Sequence, residues 1–232
     1  MKRGVSFLLS MSICGIVAAQ TSPLSGFDAN ANLANADQSM FRTFDNRYAG
    51  VRGQSTVFED FVEGNVNMKS GERVEGQALN YDVMSGQLIV RSRVYKKILA
   101  VRYDLVESFE LFDEDGERYF YKKATERGFC QVIHEGNGIK MYLKPVKTVL
   151  KANYGGAYNA NARNYDEFVD ENVYLISTNG GDLEEIKPQR KSFEKKFPEK
   201  KELIQSYFKN NKPDLKKWQE LGQFIAYLDS NS

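Results

Sequence analysis

Apolar and polar residues alternate in short runs along much of the chain. Leu79-Asn80-Tyr81-Asp82-Val83, Phe109-Glu110-Leu111 and Ile139-Lys140-Met141-Tyr142-Leu143 carry the pattern. Its period of two is that of a strand with one buried face. Ser70-Gly71, Ser85-Gly86, Asp115-Gly116 and Asn137-Gly138 separate such runs. Pairs of this kind tolerate the positive φ of tight hairpins. The spacing leaves no room for crossover helices. It predicts an antiparallel sheet, largely a meander, of about seven to nine strands over residues 53–150. Such a sheet should curl into a sandwich or a partly closed barrel. Residues 172–177 and 183–187 flank Asn179-Gly180-Gly181 and predict one more hairpin.

The period then changes. Leu203, Ile204, Tyr207 and Phe208 recur at helical spacing, with Pro198 placed for a first helical turn. Asn210, Asn211 and Pro213 interrupt them, and Asp214 is a plausible N-cap for a second stripe of Trp218, Leu221, Phe224, Ile225 and Leu228. The expected fold is therefore α+β, mainly antiparallel β with a C-terminal helical hairpin that packs on the sheet. The expected organisation is a β domain at 53–188, with a long Asn/Ala/Gly/Tyr-rich loop at 151–166, and a helical segment at 189–232.

The start of the chain reads differently. Met1-Lys2-Arg3 is basic, residues 5–19 are apolar or small, and Val17-Ala18-Ala19 supplies small residues. That order is a cleavable signal peptide at 1–20. The apolar run is shorter than the roughly 20 residues that span a bilayer. Cys14 follows Ile13, which is not the small residue a lipid-attachment site takes. Residues 21–52 begin with an Asn/Ala/Ser/Asp-rich stretch and read as a flexible leader.

Cleavage would leave Cys130 as the one cysteine, so no intramolecular disulfide is expected. Loss of Lys2 and Arg3 takes the formal charge from +1 to −1. A near-neutral chain has no long-range attraction for nucleic acid. No later run is long and apolar enough for a transmembrane segment, and the runs are too short for an outer-membrane barrel. Charge is nevertheless uneven. Residues 187–217 hold eleven Lys and Arg against four acids, an excess of +7. A solvated helix face explains this simply. The sharper reading is a docking contact for an acidic partner through Lys195, Lys196, Lys200 and Lys201.

Motifs for chemistry are few. Cys130 and His134 lie four apart in an apparent strand, on one face and about 13 Å from each other, too far for a nucleophile–base pair. Structural or surface roles are expected for both. His134 is the only histidine, which leaves no histidine-rich zinc site. Asp113-Glu114-Asp115-Gly116-Glu117 suggests calcium, but the twelfth position is Ala124 where an EF-hand loop has glutamate. A polar hairpin turn fits better. Tyr154-Gly155-Gly156-Ala157-Tyr158 lacks the lysine of a phosphate loop. Neither catalytic residues, metal ligands nor a cofactor are indicated.

Gly64-Asn65-Val66, Gly71, Gly76 and Leu79-Asn80-Tyr81-Asp82 form a progression that continues to the Lys200-Lys201-Glu202-Leu203 tail. Together with the end of the signal peptide, it resembles a group of exported, β-rich cell-envelope proteins of the Bacteroidota. The resemblance covers most of residues 53–228 and implies location in the periplasm or at the outer membrane. The group has no assigned activity to transfer. The reading is an exported, non-enzymatic envelope protein that binds another envelope protein. The alternative is a β module for a small apolar ligand or a glycan, and an enzyme ranks third. A concave apolar cavity of some 300 Å³ or more would favour the alternative. N-terminal sequencing of the native protein should find a start near Gln20 or Thr21; a chain still beginning at Met1 would refute the export reading.

Overall fold

The computed structural model describes residues 40–44, 47–93, 95–153 and 164–231. The expected signal peptide, the leader up to residue 39 and the centre of the 151–166 loop lie outside the described residues. The strands are β1 (Phe41–Thr43), β2 (Val62–Met68), β3 (Arg73–Asp82), β4 (Gln87–Ser92), β5 (Lys97–Val101), β6 (Val106–Phe112), β7 (Arg118–Lys122), β8 (Cys130–Glu135), β9 (Ile139–Lys144), β10 (Lys147–Leu150), β11 (Glu167–Asp170), β12 (Val173–Thr178) and β13 (Glu184–Glu185). Three helices follow: α1 (Arg190–Lys196), α2 (Lys201–Asn211) and α3 (Trp218–Ser230). The fold is α+β, as the alternation implies.

Eleven strands form one open antiparallel sheet in the order β1-β5-β4-β3-β2-β6-β7-β8-β9-β12-β13, and β10 pairs with β11 separately. Residues 41–43, inside the stretch read as a leader, pair with β5. One connection departs from a meander. After β5 the chain returns to β2, and β6 pairs on that strand's free side. In a flat sheet β5 and β6 would lie four strand spacings apart, about 19 Å. The link is residues 102–105, part of it a 3-10 turn at Tyr103–Leu105. So short a link requires the sheet to curl until β5 approaches β6.

The curl encloses an apolar core without help from a helix. Val66 and Met68 (β2), Leu79 and Tyr81 (β3), Leu88 and Val90 (β4), Leu99 (β5), Phe109 and Leu111 (β6) and Tyr121 (β7) meet in one cluster. Tyr81 and Tyr121 stand on strands three spacings apart, about 14 Å when flat, yet their ring centroids are 5.9 Å apart. The outward face is polar. There Glu110 on β6 accepts from Arg73 and Asn65.

A second core lies between the helices and β8, β9 and β12, built from Ile133, Met141, Ile176, Phe193, Ile204 and Phe224. Phe224 of α3 is fully buried and touches Phe193 of α1 and both Tyr207 and Phe208 of α2. Truncating such a ring costs about 3–5 kcal/mol. The helical hairpin expected from sequence is thus the α2–α3 part of a three-helix layer. Pro198 opens a 3-10 turn that leads into α2. Asp214 does not cap α3: Lys217 occupies that position, and Asp214 caps the preceding turn by accepting from Lys216 N–H. Lys212 takes the left-handed conformation that ends α2.

Helix α3 is fixed at both ends. Gln219 donates to Glu117 beside the β6–β7 turn, and Trp218 packs on Tyr119. At the other end Asp229 meets the β8–β9 turn. His134 Nε2 donates to Asp229 Oδ2 at 2.9 Å, and Gly138 N–H donates to Oδ1 at 3.0 Å. Gly136 permits this approach, since a Cβ there would lie 1.7 Å from Oδ2. Asn137-Gly138 was expected to supply a positive φ, but neither residue adopts one. Gly138 instead serves as a donor to the helix. Gly71, Gly86 and Gly116 do take positive φ in their turns.

Burial raises the Asp229 pKa, but the bonds from His134 and Gly138 outweigh it and the carboxyl sits below the usual range. A depressed carboxylate stabilises the fold above the unfolded pKa, and the gain is lost as pH falls through the folded value. Asp229→Asn should therefore cost about 1–3 kcal/mol near neutrality. In urea melts that difference should begin to shrink as pH drops below the ordinary aspartate value of about 3.9 and close below the lower folded value. A gap of unchanged size at both pH values would refute the ionic role.

Candidate functional site

A cleft of about 730 Å³ lies between the β3–β4 turn, the β7–β8 loop and the β9–β10 link. It therefore lies at the opposite ends of β7, β8 and β9 from the turns that hold α3. Aromatic rings lie beneath it, Tyr81 and Phe129 buried and Tyr103 half-buried. Phe129, at the end of the β7–β8 loop, stands edge-on to Tyr81 at 5.9 Å and to Tyr103 at 5.1 Å between ring centroids. Val83, Met84, Pro145 and Val146 add apolar walls.

The loop is held from within the core. Tyr81 Oη accepts from Phe129 N–H at 2.9 Å, and Tyr103 Oη donates to Gly128 C=O at 3.3 Å. Thr125 Oγ1 donates to Arg127 C=O at 2.9 Å. Gly128 has φ +77°, and a Cβ there would come within 2.8 Å of Tyr81 Oη, so the position needs glycine twice over. Burial pushes the Tyr81 phenol up to about 12, which keeps it neutral at physiological pH. Behind Tyr103, Lys123 donates to the carbonyls of Tyr103 and Val106 and stands 4.1 Å from the Tyr103 ring centroid. Burial lowers its pKa. Lys123 supports the floor from outside the cleft.

Three cations line the cleft: Arg127, Lys144 and Lys147. Lys147 pairs with Asp170 at 2.7 Å. Arg127 is exposed and Lys144 half-buried, and among the described residues neither side chain has a hydrogen-bond or ion-pair partner. Glu126 is the one acid of the lining and is exposed. Comparison of the chain with protein-family models, curated protein sequences and solved structures finds no match.

The residues singled out from sequence do not converge on this cleft. Cys130 is fully buried against Tyr142 and Leu175. It is free, and burial raises its thiol pKa, which makes it a poor nucleophile. The expectation that Cys130 and His134 share a face fails. Val132 pairs with Tyr142 and His134 with Met141, so Ile133 is the extra residue of a β-bulge. The bulge turns both Ile133 and His134 toward α3, away from Cys130. His134 therefore has a partner, Asp229, that its neighbours in sequence do not reveal. Asp113 Oδ1 accepts from Asp115 and Glu117 N–H and caps the β6–β7 turn. Among the described residues no group of three or more His, Cys, Asp or Glu is placed to hold a metal ion. No helix among them is long and apolar enough to cross a membrane.

Of the four docking lysines, Lys195 and Lys201 are exposed. The other two are engaged. Lys196 pairs with Glu184 at 2.7 Å, and Lys200 donates to Leu228 C=O at 2.9 Å near the end of α3. Reversing all four charges would thus disturb packing as well as surface charge. A second hollow, of about 760 Å³, is lined by Asp60, Glu63, Glu75, Asp113 and Glu114, with Arg73 paired to Glu75.

Sequence reasoning missed Arg127 and Lys144, because nothing local marks a cation whose neighbours come from three loops. Tyr81 was visible only as an alternating apolar position. Its role is testable. Tyr81→Phe leaves Phe129 N–H buried without an acceptor, at about 1–3 kcal/mol. Amide exchange at Phe129 should accelerate and the melting temperature should fall by several degrees. Wild-type exchange at that amide would show that Tyr81 does not hold the loop.

Proposed function

We propose that this chain is an exported, non-catalytic binding protein of the cell envelope, and that its β domain captures a small ligand in the Tyr81–Phe129 cleft. The observation that carries the reading is the cleft itself. At about 730 Å³ it lies within the 300–1,000 Å³ range of ligand sites, with Val83, Met84, Pro145 and Val146 as apolar walls over a buried aromatic base. Curled antiparallel sheets hold ligands in such mouths, where loops at strand ends supply specificity and the sheet supplies rigidity. The signal-peptide pattern at 1–20 supports export.

A second reading has its own support. Lys191, Lys195, Lys201, Lys209, Lys216 and Lys217 are exposed on the helical layer or the turn before α3, a surface suited to an acidic envelope protein. The two surfaces are separate, so an accessory subunit could carry both.

N-Phenyl-1-naphthylamine, a neutral apolar fluorophore, tests the first reading. Titration into the purified mature chain should give saturable fluorescence enhancement. Val146→Trp, which fills the cleft, should abolish it while the melting temperature stays near wild type. Absence of saturable binding, or binding untouched by Val146→Trp, would overturn the reading and leave the helical layer as the working surface.

A further inference from the structure

We infer that the segment preceding β1, residues 21–39, docks in the Tyr81–Phe129 cleft and competes there with ligand. The docking follows from the fold and the sequence; the competition rests on the ligand-binding reading of the cleft.

The described fold begins at Met40, beside the cleft. Arg102 N–H donates to Met40 C=O at 2.9 Å, and Phe41 pairs with Val101 of β5. Carried one position past Met40, this antiparallel register meets Tyr103, which lines the cleft. The β3–β4 turn, another wall, lies at the same end of the sheet, since Tyr81 pairs with Leu88 and Ile89 with Ala100. An extended chain spans about 3.3 Å per residue or slightly more. Leu33 can therefore reach about 23 Å from Met40 and Phe27 about 43 Å. The tether permits docking anywhere in the cleft.

Composition fits the same site. Val83, Met84, Pro145 and Val146 stand half-buried as apolar walls. Leu24, Phe27 and Leu33 are the large apolar residues of 21–39, set among small and polar ones. They are too few for a core of their own, and burial against an existing apolar surface is favourable. Charge agrees. The segment has Asp28 and Asp37 and no Lys, Arg or His, while the lining has Arg127, Lys144 and Lys147 against Glu126. The hollow lined by Asp60, Glu63 and Glu75 would repel it. The basic helical layer matches its charge but has no large exposed apolar side chain among the described residues. Tyr95 and Ile98 are exposed, but at the end of β5 away from Met40. Tethering makes docking intramolecular, with an effective concentration on the order of millimolar, so modest contacts suffice. A ligand must displace the segment, and its apparent affinity falls with the fraction of chains whose cleft is open.

Phe27→Ser/Leu33→Ser in the mature chain tests this, since neither position belongs to the described fold. N-Phenyl-1-naphthylamine should bind the variant at least about threefold tighter than wild type. Amide exchange over residues 83–87 and 126–128 should accelerate, with exchange in β2 and β6 unchanged. Unchanged affinity with unchanged exchange would refute the docking and leave the ligand-binding reading intact. Tighter binding with unchanged exchange, or faster exchange with unchanged affinity, would place the segment outside the cleft and also overturn the inference. If the probe binds neither chain, the ligand-binding reading fails and exchange alone decides: faster exchange in the variant supports the docking, and equal exchange overturns it.

Discussion

A chain that leaves β5 at Val101 must begin β6 at Val106, on the far side of three intervening strands. Residues 102–105 cannot cross a flat sheet of that width, so the sheet curls. Most of the first core follows from that constraint. Curling brings Tyr81 of β3 against Phe109 and Tyr121, and it lets one sheet bury its apolar face against itself. The same turn places Tyr103 beside Phe129. Connectivity, curl, aromatic core and cleft floor are thus successive results of one short link.

The second core answers a different need. Beyond β7 the sheet no longer closes on itself, and the apolar face of β8, β9 and β12 requires another layer. Helix α3 supplies it, and its ends are fixed by polar bonds that apolar packing alone would not specify. Gln219 to Glu117 and Asp229 to His134 set where the helix stops along its own axis. Hydrophobic contact is non-directional. Directional bonds at each end give it a register.

Much of the sheet was legible because its turns and its alternation are local. Gly71, Gly86 and Gly116 mark turns by a backbone requirement that no neighbour is needed to read. The hairpin at 179–181 was visible for the same reason. What was not legible depended on distance or on a break in period. The bulge at Ile133 reverses the face of every residue after it, so extrapolating from Cys130 misplaced His134. Asp229 lies 95 residues from His134, and no sequence spacing connects them. Helix α1 has one buried apolar residue, Phe193, which leaves no period to detect. β11, at four residues, is too short to stand out beside the turn-rich segment before it. The return of β6 to β2 was hidden because nothing in an alternating strand names its neighbour.

Charge shows why the cleft and the basic segment should be kept apart as functional surfaces. The exposed lysines of the helical layer sit in water, where each is hydrated and where pairing contributes little, with a median of about 0–1 kcal/mol per surface pair. Their combined field acts mainly on encounter rate, and it fades within about 8 Å at physiological ionic strength. The basic segment is therefore suited to steering an approaching partner, whereas a concave surface such as the cleft selects by shape what stays bound.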